Sequence, residues 1–215
     1  MALAEPAADT PEVLAAQARW RPAMEAFASQ DREHPPESGG VLFVGSSTIR
    51  MWSRLAQDFR QWPVVMNRGF GGSTMADCSL LAHQFVIQYK PRQVLVYAGD
   101  NDLAEGRSPA QVLESFEAFA RTVRAELPGV RLAYISIKPS PARAALLPRI
   151  RETNTLIAHY LLTLPNTQYI DIYTAMLDDA GQPRRELFLP DGLHMKEQGY
   201  AVWQPVIAGS LQAQQ

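Results

Sequence analysis

The sequence predicts an α/β fold, a three-layer α/β/α sandwich built on a five-stranded parallel sheet. Three observations carry that expectation. Short apolar runs rich in β-branched residues recur five times, beginning at residues 41, 64, 94, 132 and 169; such runs mark strands buried on both faces of a parallel sheet. Helical patterns fill the intervals, and each interval is long enough for one βαβ crossover. Right-handed crossovers then stack helices on both faces of an open sheet.

Taken in order, the stretch from Pro6 to about Ser29 is Ala-rich and helical, with Thr10 as N-cap and Pro11 at the first helical position. Pro22 is expected to kink or restart that helix. Asp31 to Gly40 (DREHPPESGG) reads as a loop from its Pro and Gly content. The five strands follow as Val41-Leu42-Phe43-Val44, Val64-Val65-Met66, Val94-Leu95-Val96-Tyr97, Leu132-Ala133-Tyr134-Ile135 and Tyr169-Ile170-Asp171-Ile172. Between the third and fourth, Ser108-Pro109-Ala110-Gln111 has the capping-box arrangement. Its helix carries Leu113, Phe116, Phe119, Ala120, Val123 and Leu127 on one face, and Pro128-Gly129 stops it. Arg143 to Leu164 and Met195 to Leu211 read as two more helices, irregular at Pro148 and Pro205. No repeat or interdomain linker interrupts the pattern. Residues 1–40 are therefore expected to be an N-terminal helical extension and loop, and 41–215 a single domain.

Composition excludes more than it identifies. With 215 residues, 47% hydrophobic and 20% charged, the chain is an ordinary globular sequence able to bury about 70% of its unfolded surface. Twenty Lys and Arg against 22 Asp and Glu give a net charge of −2, which argues against a nucleic-acid binder. No apolar run approaches the roughly 18 residues that span a bilayer. The single cysteine, Cys78, excludes an internal disulfide and a thiolate zinc cluster; it reads as a small buried helical residue, with nucleophile as the alternative. Ala2-Leu3-Ala4 has the small-x-small form found before signal cleavage sites, although no apolar leader core accompanies it. A cytoplasmic start and the mature form of an exported protein both remain open. Oligomeric state leaves no mark in the sequence.

In an open α/β sheet, ligands bind beyond the carboxyl ends of the strands. Three such segments are unusual: Gly45-Ser46-Ser47-Thr48 after the first strand, Asn67-Arg68-Gly69-Phe70-Gly71-Gly72-Ser73 after the second, and Gly99-Asp100-Asn101-Asp102 after the third. A fourth cluster, Asp191-Gly192-Leu193-His194, precedes the last helix. Taken singly, each is ordinary turn or N-cap chemistry. Together they hold the parts of acyl transfer. A serine on a glycine turn becomes a nucleophile if an imidazole takes its proton. A carboxylate must hold the imidazole's tautomer, and Asp191, three residues before His194, can do so within one turn of chain. Backbone N–H groups at Ser47 and Gly72 and the amide of Asn101 would supply an oxyanion hole. Glycine at 72 lets the backbone approach the substrate, and Asn101 brings a neutral NH₂ donor where an aspartate could not.

The set Gly-x-Ser, a glycine after the second strand, Gly-x-Asn-Asp and Asp-x-x-His, in this order, resembles the SGNH (GDSL-type) hydrolases. The likeness runs from about Val41 to Tyr200 and includes Gly199-Tyr200 after the histidine. It implies a flavodoxin-like α/β/α fold and a serine ester hydrolase needing no cofactor or metal, acting on a small-molecule ester. It further implies Ser47 as nucleophile, His194 as base with Asp191 behind it, and an oxyanion hole of Ser47, Gly72 and Asn101. One departure is that Ser46 stands where the family carries the aspartate of Gly-Asp-Ser-Leu. The local hydrogen bonding of that aspartate must then come from elsewhere, and spacing from Gly45 favours Ser47 over Ser46. With no long lid or added lipid-binding domain, the expected acyl groups are short.

Other candidates fit less well. His34, His83 and His159 fall in a loop and two helices, away from strand ends. Gly69-Phe70-Gly71-Gly72 lacks the dinucleotide fingerprint spacing, and no Gly-Lys-Ser/Thr phosphate loop exists. Asp100, Asp102 and Asp191 could gather Mg²⁺ in a phosphoesterase, and a non-catalytic binding module is a further alternative; both leave Ser47, Gly72 and Asn101 unexplained. Arg50, Trp52 and the loop Lys138-Pro139-Ser140-Pro141-Ala142-Arg143 read equally as a rim around the site or as plain surface.

Overall fold

In the computed structural model, which describes residues 10–212, five parallel strands form one sheet. They are β1 (Val41–Gly45), β2 (Val65–Gly69), β3 (Gln93–Tyr97), β4 (Arg131–Ile135) and β5 (Thr167–Ile170). The order across the sheet is β2-β1-β3-β4-β5, and every neighbouring pair is parallel. The expected three-layer α/β sandwich is thus the fold, in the flavodoxin-like order whose connection reverses direction between β1 and β3.

Burial on both faces follows from the period of two along each strand. Leu42 and Val44, Val94 and Val96, Leu132 and Tyr134 face one apolar layer. Val41 and Phe43, Leu95 and Tyr97, Ala133 and Ile135 face the other. The first layer is closed by α4 (Met75–Leu80), α5 (Ala82–Phe85), α7 (Pro109–Glu126) and α8 (Leu147–Leu161). The second is closed by α2 (Ser47–Arg50), α3 (Leu55–Asp58) and α9 (Glu197–Gln212). A single-turn helix, α6 (Asp100–Ala104), leaves the end of β3. Among the described helices none is long and apolar enough to cross a membrane.

The ends of several elements differ from the sequence expectation, in most cases because a distant contact overrides a local signal. Helix α1 (Pro11–Glu33) begins as expected at Thr10, whose hydroxyl accepts from Val13 N–H, but it runs unbroken past Pro22 and takes in Asp31 to Glu33, the first three residues of the segment read as a loop; residues 34–40 form the loop. Its last turn is held by Asp31, which accepts from the buried Arg68 guanidinium and from Tyr89 Oη at 2.6 Å. Burial first, and then the bond to Asp31, push Tyr89 up to about 12, so it stays a donor. Residues Asn67 to Gly69, expected beyond the second strand, lie within it. Arg68 pairs in register with Val44, and its buried side chain stacks over Phe27 and Tyr89. Strand β5 stops at Ile170, because Ser136 Oγ takes the backbone N–H groups of Ile172 and Tyr173. Pro148 starts α8 rather than disturbing it, since a first-turn proline removes an N–H that has no partner there. Segment 2–4, with its small-x-small motif, lies outside the described residues.

Candidate active site

The reversal between β1 and β3 opens a cleft at the carboxyl end of the sheet, and all four polar clusters line it. Ser47 is the first residue of α2, placed there because β1 ends in Gly45 and Ser46 forms the N-cap. Gly72 follows β2 with φ +86°, a conformation that a side-chain-bearing residue rarely adopts. Asn101 is the second residue of α6, after Gly99 turns the chain out of β3. His194 comes from the loop before α9. That loop is fixed by an antiparallel bridge between Phe188 and Met195 and by Leu189 N–H donating to His194 O at 2.8 Å. Together these residues border a cavity of about 630 Å³ that also touches Arg19, Trp20, Pro22 and Ala23 of α1, with Arg50, Gly71 and Leu193.

His194 stands between Ser47 and Asp191. Its Nδ1 lies 2.6 Å from Asp191 Oδ2 and its Nε2 3.2 Å from Ser47 Oγ. An ionised carboxylate can only accept, so Nδ1 carries the proton toward Asp191 and Nε2 is left to accept from the serine hydroxyl. Asp191 is oriented in turn by the N–H groups of Leu193 and His194, at 2.9 and 3.0 Å from its Oδ1. The bond from His194, followed by that from Leu193, holds the Asp191 carboxyl down at about 2, so it is charged at any pH where imidazole acts as a base. Tyr200 Oη donates to Thr48 O at 2.9 Å and ties α9 to the start of α2.

Asn101 is held at both ends. Its Oδ1 accepts from Arg143 Nη2 at 2.8 Å, and its Nδ2 donates to Ser73 O at 3.0 Å. One amide hydrogen is therefore spent on the loop after β2, and the other remains for the cleft. Beneath this lies a buried ionic network that the sequence reading missed. Lys138, read there as rim or surface, is 2% exposed. Its Nζ reaches Thr48 Oγ1 at 3.2 Å, Tyr97 Oη at 3.1 Å and Asp100 Oδ2 at 3.2 Å. Burial alone would raise the Asp100 carboxyl, but Lys138 and then Arg143 outweigh it and lower it. The network joins the segments after β1, β3 and β4. Ser46 is buried, with no hydrogen-bond partner for its hydroxyl among the described residues.

One more assignment changes, and Cys78 is the buried helical residue expected. Arg50 does line the cleft, whereas Trp52 is neither rim nor surface. It is 2% exposed, packs on Phe59, Tyr200 and Trp203, and donates to Asp58 at 2.7 Å. Cys78 is fully buried, and burial first, then Asp102 and Asp77, raise its thiol well above the ordinary range, against a nucleophilic role. No group of three or more His, Cys, Asp or Glu side chains is placed to hold a metal ion among the described residues. Asp100 is tied to Lys138 and Arg143, Asp102 accepts from Met75 N–H at 2.7 Å, and Asp191 faces His194. That α1 supplies a wall of the cleft was missed; a tryptophan between two arginines in an Ala-rich helix was the signal present.

Comparison with known proteins agrees with this fold. The profile of a family described as GDSL-like lipase/acylhydrolase matches residues 39–202. Among solved structures, a GDSL-like lipase from Bacteroides thetaiotaomicron superposes with a TM-score of 0.74 at 19% identity, covering 89% of this chain and 98% of its own. The lipase/acylhydrolase from Enterococcus faecalis gives 0.69 at 21% identity, covering 82% and 96%. A carbohydrate esterase family 3 protein from Talaromyces cellulolyticus gives 0.65 at 19% identity, covering 81% and 97%. No curated protein matches the sequence.

Proposed function

The chain belongs to the GDSL-like lipase/acylhydrolase family, and from that premise we propose that it is a carboxylic ester hydrolase working through Ser47, His194 and Asp191. Ser47 Oγ attacks the ester carbonyl carbon while its proton passes to His194 Nε2. The carbonyl oxygen becomes an oxyanion, received by the N–H groups of Ser47 and Gly72 and the free amide hydrogen of Asn101. As the tetrahedral centre collapses, the carbon–alkoxy bond breaks and the alkoxide takes the proton from His194, leaving Ser47 acylated. Water then gives a proton to Nε2 and adds to the acyl carbon. Its collapse frees the acid and returns that proton to Ser47.

The contact chain Ser47 Oγ to Nε2 and Nδ1 to Asp191 is the observation on which this reading rests. The cleft accommodates a small ester, and α1 closes one side of it with Trp20. Short acyl groups, acetyl to butyryl, are the proposed substrates.

Labelling with a fluorophosphonate probe is the direct test. Wild-type protein should be labelled, and Ser47→Ala should lose both labelling and turnover, by as much as roughly a millionfold if the three groups act as a unit. Retained esterase activity in Ser47→Ala would overturn the assignment. Faster hydrolysis of 4-nitrophenyl decanoate than of the acetate would overturn the short-chain reading.

A further inference from the structure

The cleft beside Ser47 carries positive charge for which ester hydrolysis itself has no use. Arg19 and Arg50 both line it, on two different elements, α1 and α2. Among the described residues neither is in a salt bridge, and no aspartate or glutamate lines the cleft. The nearby carboxylates are occupied: Asp100 with Lys138 and Arg143, and Asp191 with His194. Other arginines near the sheet and its helices are committed: Arg68 takes Asp31, Arg143 takes Asp100 and Asn101, and Arg124 and Arg149 take backbone carbonyls.

Their setting is shaped as well as charged. Arg50 lies three residues after Ser47, and its guanidinium rests over the bare backbone of Gly71. A methyl group there would fall 2.8 Å from Arg50 Nε and 3.1 Å from Nη2. Only glycine lets that planar cation lie against the loop leading to Gly72. Arg19 sits 4.9 Å from the ring centroid of Trp20, and the far edge of that indole reaches within 3.8 Å of the Cβ position at Gly72. The cations thus flank the place where the scissile ester must sit. The chain as a whole is slightly negative, at −2, so this local field is not inherited from a generally basic surface. Guanidinium groups match carboxylate, sulfate and phosphate oxygens in pairs.

From this placement we propose that the site selects esters that carry an anionic group, held by Arg50 and Arg19 while Ser47 attacks. The inference rests on the hydrolase reading above. The anion can belong to the acyl part or to the alcohol part, and matched substrates separate the two. On the acyl side, 4-nitrophenyl hemisuccinate is compared with its neutral methyl succinate counterpart. On the alcohol side, 4-acetoxybenzoate is compared with its methyl ester.

At low ionic strength, one anionic member should exceed its neutral partner in kcat/KM by about tenfold, the sum expected from two partly exposed ion pairs. The preference should shrink in 0.5 M NaCl, as screening shortens the reach of exposed charges to a few ångströms. Arg50→Gln and Arg19→Gln should each lower kcat/KM for the preferred anionic ester more than for the neutral one. Turnover of the neutral esters without an anionic preference in either pair overturns this inference and leaves the hydrolase reading standing. An anionic preference that both variants retain overturns it too. Failure to hydrolyse any of the four esters, together with an unlabelled Ser47, overturns both.

Discussion

Arg143 stands to Asn101 as Asp191 stands to His194: each leaves its neighbour one orientation. A guanidinium can only donate, so it fixes Asn101 Oδ1 on its own side and turns Nδ2 toward Ser73 O and the cleft. Under the proposed mechanism, Asn101→Ala should lower kcat by about a hundred- to a thousandfold. Arg143→Gln, which frees the amide to rotate and leaves Asp100 to Lys138 alone, should lower kcat by roughly tenfold with KM little changed, as expected for an interaction used in the transition state. Arg143→Lys should recover little, since an ammonium lacks the fork that spans Asp100 and Asn101; steady-state kinetics on a neutral ester reads all three. Ser47, Asn101, Asp191 and His194 were legible as candidates because they sit in three short turn motifs, Asp191 and His194 sharing one. Lys138 and Arg143 were not. A stretch with Lys, Arg and two prolines looks solvated unless one knows that Asp100 and Thr48, far away in sequence, come to meet it.

At the scale of elements, α1 is the part that most depends on long-range contact. Its start was legible in Thr10-Pro11, whereas its end was set by Asp31 gripping Arg68 and Tyr89. Trp20 packs edge-to-face on Phe70 at 5.0 Å, and Ala16 and Phe27 enter the same apolar layer. Asp31→Ala would leave the Arg68 guanidinium buried without its carboxylate, a loss of about 3 kcal/mol by analogy with other broken buried pairs. Urea denaturation should show that fall in midpoint. Because α1 also walls the cleft, the same variant should raise KM for small esters. A stability loss below about 0.5 kcal/mol, the level of an ordinary surface substitution, would mean the pair is not what holds the helix down.

For the molecule as a whole, two aspartates give stability opposite dependences on pH. Burial raises the Asp102 carboxyl to about 6, against an unfolded value near 3.8. Between about pH 4 and 6 the unfolded chain ionises first and the native state keeps its proton. The native state then binds more protons, so stability falls as pH rises through that window. Asp191, held down at about 2, works the other way: its contribution is present above its unfolded value and is lost as pH falls toward 2. Asp102→Asn retains an oxygen for Met75 N–H and removes the first slope. Thermal unfolding from pH 4 to 7 should therefore show wild type losing ground to the variant as pH rises. Curves that run parallel would contradict the raised carboxyl.

The sequence by itself determined the sheet, its parallel sense, the long helices that cover it and the four turns that meet at the cleft. All of these are encoded locally: the period of two in a strand, the period of 3.6 in a helix, the cap and glycine chemistry of a turn. Only the tertiary structure decided that α1 would wall the cleft, that Trp52 would be core, and that Lys138 would be buried against Asp100, Thr48 and Tyr97. It alone placed two arginines without carboxylate partners beside Ser47. Those outcomes depend on which groups meet across the fold, as Thr48 does Lys138 and Ser47 does His194. A charge is buried or exposed according to the partner it finds there, and a short segment carries no record of that partner.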